Sequence, residues 1–302
     1  MTPVATVIDN VQRGARALRE LSDSPRLDAE LLLGKVLGLS RAGLMARSDE
    51  PLATQSELAY ADLIDRRLQG APVAYLTGTR EFWSLPLTVT PAVLVPRPET
   101  ELLVELALAC LPAPGTNAVA DDVPPADPPP STRSAGSVLD LGTGSGAIAL
   151  AIACERPGWR VTGVDISPAA LEVAIQNSRD LGLTHIDWRL GSWFEAVPGE
   201  KFDVIVANPP YVAAADPALH TLRAEPVLAL SAGPTGLEAL SDIVSAAAAH
   251  LKTHGWLLLE HGSDQAPAVV RLLESQGFTK VRSQIDFSGK PRVTLGTVHS
   301  QH

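Results

Sequence analysis

From about residue 137 onward the chain alternates short apolar runs with helical stretches, and this constrains the fold more than any other feature. Val138–Leu141 reads as a buried strand ending in a glycine-rich turn, followed by a helix over Ala147–Cys154. Further strands are predicted at 160–165, 186–190, 202–207 and 256–260, with helices at 168–181 and 265–276. The tail reads as two strands near 278–285 and 291–298. Short strands rich in Val, Ile and Leu, each followed by a helix, are the signature of a parallel sheet covered on both faces. The expected fold is therefore α/β, an open, mainly parallel, seven-stranded sheet. Ligands of such sheets sit beyond the carboxyl ends of the strands.

The N-terminal part reads differently. Val7, Val11, Ala15 and Leu18 fall near helical spacing. Ser24-Pro25 reads as an N-cap followed by Pro at the first helical position, opening a helix through Leu27, Leu31, Leu32 and Val36. Thr54 with Glu57 has the capping-box spacing, ahead of a helix reaching about Gln69. The stretch 74–90 reads as β-rich, with Phe82-Trp83 and alternating Leu85, Leu87 and Val89 suggesting a hairpin. Between the halves, residues 112–136 hold seven prolines in 25 residues and no aromatic, which reads as a solvated linker or elongated loop. The expected organisation is a helical domain at 1–72, a β-hairpin connection at 73–96, and an α/β domain at 97–302 that carries the Pro-rich insertion.

Composition excludes several classes. The 302 residues are 45% hydrophobic and 19% charged, enough apolar material for a sizeable core. No apolar run approaches the length of a membrane span, and the first twenty residues lack the apolar stretch of a secretory signal. Two cysteines, Cys110 and Cys154, read as reduced thiols of a cytoplasmic protein. Of the net charge of −10, residues 1–90 contribute −1 (10 basic, 11 acidic) and the remainder −9 (14 basic, 23 acidic). That balance argues against a nucleic-acid partner, whose binding depends on neutralising phosphates.

Three motifs carry the chemistry. In Asp140-Leu-Gly142-Thr143-Gly144-Ser145-Gly146 alternate glycines let the backbone turn sharply and approach a ligand closely. Asp165 ends the next strand, where a carboxylate can accept both hydroxyls of a ribose. Asn208-Pro209-Pro210-Tyr211 follows the strand at 202–207. Proline has no N–H, so this stiff turn presents the Asn208 side-chain oxygen and the Pro209 carbonyl as two acceptors for a planar –NH2, with Tyr211 as a flat face to stack on it. His250 and His254 have i,i+4 spacing but no evident third ligand, and read as a solvated helix end rather than a metal site. Glu99 and Glu101 beside Pro98 are accounted for by the helix dipole.

These motifs resemble those of class I, S-adenosyl-L-methionine-dependent methyltransferases with a Rossmann-like sheet. More narrowly, the chain resembles the release-factor glutamine methyltransferases over nearly its full length. The resemblance extends through Ser24–Leu33, Ala74–Gly78, Arg80–Trp83, Val95–Glu101, Glu225-Pro226 and Ser288–Val293. It implies S-adenosyl-L-methionine as cofactor, with Gly142–Gly146 lining its methionine part, Asp165 its ribose and Trp193 its adenine edge. It implies Asn208, Pro209, Pro210 and Tyr211 as the catalytic turn holding a target glutamine, and class I peptide chain release factors as protein partners, with neither nucleic acid nor membrane. Two rivals within the class are a glutamine methyltransferase of a ribosomal protein and an adenine-N6 nucleic-acid methyltransferase, which shares the turn because adenine also presents a planar –NH2.

Overall fold

The structure, a computed structural model, describes residues 5–111 and 136–299. The Pro-rich segment expected at 112–136 lies, except for Gly136, outside the described residues. The chain divides into two units, Met1–Thr79 and Arg80–His302.

The first unit is helical: α1 (Val7–Ala17), α2 (Pro25–Leu37), α3 (Arg41–Ala46), α4 (Thr54–Leu68) and α5 (Val73–Thr77). A capping box opens α1, where Thr6 Oγ1 accepts from Asp9 N–H and the Asp9 carboxylate accepts from Thr6 N–H. The caps expected further on form differently. Pro25 does open α2, but the Ser24 hydroxyl makes no capping bond. Thr54 is already inside α4 behind Ala53, and Glu57 pairs instead with Arg13. The buried face of α2 is Ala29, Leu32 and Leu33, while Leu27 and Leu31 are exposed. α1 and α4 approach closely enough that a Cβ at Gly14 would lie 2.0 Å from the Tyr60 hydroxyl.

The β-rich stretch expected from Ala74 begins later, because Val73–Thr77 closes as one helical turn capped by Gly78 at φ +79°. The hairpin is β1 (Thr79–Phe82) and β2 (Leu85–Thr88). Its turn residues Trp83 and Ser84 have φ of +52° and +58°, the two-residue geometry that matches strand twist.

The second unit continues through α6 (Glu101–Cys110), β3 (Ser137–Leu141), α7 (Ala147–Glu155), β4 (Arg160–Asp165), α8 (Pro168–Asp180), β5 (Asp187–Leu190) and β6 (Phe202–Ala207). It ends with α9 (Ala218–Thr221), α10 (Glu238–Ala247), β7 (Leu251–Glu260), α11 (Ala266–Ser275), β8 (Thr279–Ile285) and β9 (Pro291–Thr297). The sheet has seven strands in the order β5-β4-β3-β6-β7-β9-β8, with β9 antiparallel to both its neighbours and the other pairings parallel.

Alternation along the central strands splits the core in two. Val138, Val204, Val206 and Leu258 face a cluster with Leu103, Val104, Leu150 and Ile152 of α6 and α7. Leu139, Leu141, Ile205, Leu257 and Leu259 face Leu240, Ile243, Val269 and Leu273 of α10 and α11. Each strand is thus apolar on both faces, which is why it reads as an unbroken apolar run. Because β3 lies between β4 and β6, the strand order reverses there, and the crevice at that switch point is where such sheets bind ligands. His250 lies in a 3₁₀ turn and His254 in β7, so the pair shares no helix face, contrary to the expected helix end. Among the described residues no helix is long and apolar enough to cross a membrane.

Candidate active site

The turn after β3 holds Gly142, Gly144 and Gly146 at φ of +71°, +56° and +81°, a region other residues enter only at a cost. A Cβ at Gly146 would meet Trp188 at 2.9 Å, whereas one at Gly144 would meet no protein atom within 4 Å. The turn is therefore packed underneath and open above. Asp140 lies behind it, fully buried. Its Oδ2 accepts from Thr143 Oγ1 at 2.6 Å and from Ala149 N–H at 3.2 Å, while its Oδ1 has no protein partner. Burial pushes Asp140 up to about 7, and the nearby Asp165 carboxylate adds to the rise.

Asp165 ends β4 beside this turn. Its Oδ2 accepts from Gly144 N–H at 2.8 Å and its Oδ1 from Ser167 N–H at 2.9 Å. Burial raises its pKa against these two hydrogen bonds. Ser167 in turn caps α8 by accepting from Ala170 N–H. Trp193 follows β5 at φ +45°, with its ring 3.5 Å from where a Gly142 Cβ would stand.

Asn208 follows β6. Its Nδ2 donates to Thr100 Oγ1 at 3.3 Å, at the start of α6. Pro209 is buried, and the Tyr211 carbonyl accepts from Gln265 Nε2 at 3.0 Å. The Tyr211 ring packs on the apolar cluster beneath α10 and α11, where burial pushes its hydroxyl up to about 12. A buried carboxylate, Glu225, accepts from Val95 N–H and from the Arg97 guanidinium, and so holds the 95–97 segment in place.

These elements enclose a cleft of about 430 Å³. Gly142, Thr143, Gly144, Ser145, Asp165, Trp193, Asn208 and Pro210 all line it, together with Ile166, Arg97 and Thr100. Of the expected site residues, Gly146, Pro209 and Tyr211 are not on its wall: Gly146 caps α7, Pro209 backs the turn, and the Tyr211 ring faces the core. Sequence reasoning assigned no role to Thr100, Glu225 or Glu260. Thr100 and Glu225 lie within stretches that carry the family resemblance, and Glu260 is a carboxylate closing an apolar strand in the manner of Asp165.

Family comparison addresses both units. The model of the PrmC N-terminal domain matches residues 9–78, and that of a methyltransferase domain matches residues 132–268. The release factor glutamine methyltransferase of Salmonella typhimurium is 46% identical over 277 residues, 91% of this chain and 93% of that protein. The protein of the same name from Pseudomonas aeruginosa is 43% identical over 300 residues, covering 98% and 99% of the two chains. This chain belongs to the release factor glutamine methyltransferase family. A methyltransferase crystal structure from Pyrococcus furiosus, 16% identical, superposes with a TM-score of 0.52 over 80% of this chain and all of that one, a likeness of fold.

The cleft's donor set suits a ligand that joins a nucleoside to a cationic amino acid. Asp165 can accept hydroxyls, the Trp193 ring is a flat wall, and the buried Asp140 Oδ1 behind the glycines has no protein partner. Over Gly144 no Cβ obstructs a ligand's approach to the backbone.

Proposed function

We propose that this protein transfers one methyl group from S-adenosyl-L-methionine to the side-chain amide nitrogen (N5) of the glutamine in the Gly-Gly-Gln motif of class I peptide chain release factors. The observation that carries the reading is the state of Asn208. Its Nδ2 is engaged by Thr100, which leaves Oδ1 as the acceptor at the wall of the cleft that also holds Asp165 and the glycine-rich turn. The reaction takes place in the cytoplasm, where translation terminates, without direct contact to nucleic acid. The acidic balance beyond residue 90 supports that absence.

Gly142–Ser145, Asp165 and Trp193 hold the cofactor, which when bound supplies an electrophilic methyl on a sulfonium, and Gly146 closes the turn at the start of α7. The chemical difficulty lies in the nucleophile, since an amide nitrogen shares its lone pair with its carbonyl. Asn208 Oδ1 on the cleft wall takes one N–H group of the target and fixes its nitrogen for in-line approach, a contribution of positioning. The carbonyl of Pro209, whose ring lies behind the wall, is the acceptor expected for the other. Pro210 stiffens the turn, and Tyr211 anchors it through Gln265. The methylated nitrogen is strongly acidic and loses its proton to water, so no strong base is required.

The test is mass spectrometry of release-factor peptides after incubation with enzyme and S-adenosyl-L-methionine. One added methyl on the glutamine is the expected result. Asn208→Ala is expected to lower turnover by about 100-fold or more while cofactor affinity persists. Methylation of DNA, or of a ribosomal protein, with the release factor left unmodified would overturn the reading.

A further inference from the structure

β7 ends in Leu257-Leu258-Leu259-Glu260, and its register with β6 sets Leu259 beside Ala207. Glu260, the last residue of β7, therefore stands level with Asn208, the first residue after β6. Glu260 is 1% exposed, and Thr100 above it 4%. The Thr100 hydroxyl lies against the Glu260 carboxylate and favours its charged form, and Glu260 Oε2 is buried with no hydrogen-bond partner. The same Thr100 oxygen accepts from Asn208 Nδ2. Three side chains that are distant in sequence thus form one relay that ends at the cleft.

The polarity of the relay follows from counting protons. A carboxylate has none to give, so the Thr100 hydroxyl must donate to Glu260. That hydroxyl carries one proton, and once it is committed only lone pairs remain for Asn208. Asn208 therefore has to present –NH2 to Thr100, and its Oδ1 faces the other way. We propose that Glu260 is a positioning residue, which acts through Thr100 to lock the Asn208 amide with its oxygen toward the target nitrogen. The proposal rests on the glutamine-methylation reading above and deepens it.

The relay has a second setting. A protonated Glu260 can donate to Thr100, whose own proton is then free to seek Asn208 Oδ1, and the amide turns over. The groups facing Glu260 are Arg292 on β9, Arg97 and Glu99 ahead of α6, and Tyr211 after β6, with His261 next along the chain. Burial pushes Glu260 up to about 7; Thr100, Arg292 and Arg97 oppose the rise and Glu99 adds to it. Deprotonation sets the productive orientation, so turnover is expected to rise with pH through about 7.

The experiment compares wild type, Glu260→Gln, Thr100→Val and Thr100→Ser on a Gly-Gly-Gln release factor, reading kcat and KM across pH, calorimetric cofactor affinity and thermal midpoint. Glu260→Gln is expected to lose on the order of 100-fold in kcat, with cofactor affinity kept and the rise through about pH 7 abolished. Thr100→Val should match it, Thr100→Ser should restore turnover, and the double variant should lose no more than either single one. If Glu260→Gln does not fold, the Thr100 pair decides the matter. A folded Glu260→Gln or Thr100→Val with wild-type kcat, or strictly additive losses, would overturn the relay. Absence of glutamine methylation by the wild type itself would instead overturn the substrate reading, and the relay with it.

Discussion

The Asp165 carboxylate closes the glycine-rich turn by accepting the Gly144 N–H at 2.8 Å, so the residue that faces the cleft also holds the loop that shapes it. Its other oxygen takes the Ser167 N–H at the start of α8. Asp165→Ala therefore unpairs two backbone donors as well as removing a ligand acceptor. Each unpaired donor costs about 1–3 kcal/mol when buried. The expected outcome is a drop in thermal midpoint together with weaker cofactor binding, measured by calorimetry. Cofactor affinity unchanged from wild type would remove Asp165 from the binding site.

Asp140 makes stability depend on pH with a definite sign. Burial raises its pKa from 3.8 to about 7. Between those values the folded protein keeps a proton that the unfolded chain gives up, so this residue lowers stability as pH climbs through that window. Asp140→Asn, which cannot ionise, is expected to flatten the fall. Thermal midpoints of the unliganded protein against pH test this; parallel curves for the two proteins would contradict it.

Glu225 offers a third test away from the chemistry. Its buried carboxylate holds Val95 N–H and the Arg97 guanidinium, and Arg97 lines the cleft. Glu225→Ala strands both partners, and a loss of about 1–3 kcal/mol in urea unfolding is expected. A raised KM should accompany it as the 95–97 segment loosens. An unchanged denaturation midpoint would show that water replaces the carboxylate fully.

The sheet was legible because its strands are buried on both faces. Phe202–Ala207 and Arg160–Asp165 stand in the structure where the apolar runs put them. The same holds for the motifs, since Gly142–Ser145, Asp165, Trp193 and Asn208 converge on one cleft. Caps and short helices were not legible. Ser24 and Thr54 have the right side chains, yet neither caps its helix, and Glu57, the other half of the expected box, is taken by the distant Arg13. α3 and α5 are too short to show a period, and α5 was hidden by its β-prone residues until Gly78 ended it. The Thr100–Glu260 contact joins residues with no local relation, and no spacing rule reaches it.

The division at Thr79 separates two cores as well as two stretches of chain. Val7, Leu18, Leu32, Leu33 and Tyr60 form one cluster, and neither sheet-face cluster includes a residue before Phe82. The cleft is lined wholly by residues from Ala92 onward. Removing residues 1–79 should therefore leave cofactor binding intact, because no side chain of either sheet-face core or of the cleft is lost. The helical unit carries none of the transfer chemistry, and its expected role is to recognise the folded release factor. The truncated chain should methylate a short Gly-Gly-Gln peptide at a rate close to that of the full chain, yet lose about 100-fold or more in kcat/KM on the intact factor. Calorimetry with S-adenosyl-L-methionine confirms that the truncated protein is folded before the two substrates are compared. Equal kcat/KM on the intact factor would assign recognition to the α/β unit alone. Equal losses on peptide and factor would show that the helices support the cleft rather than the partner.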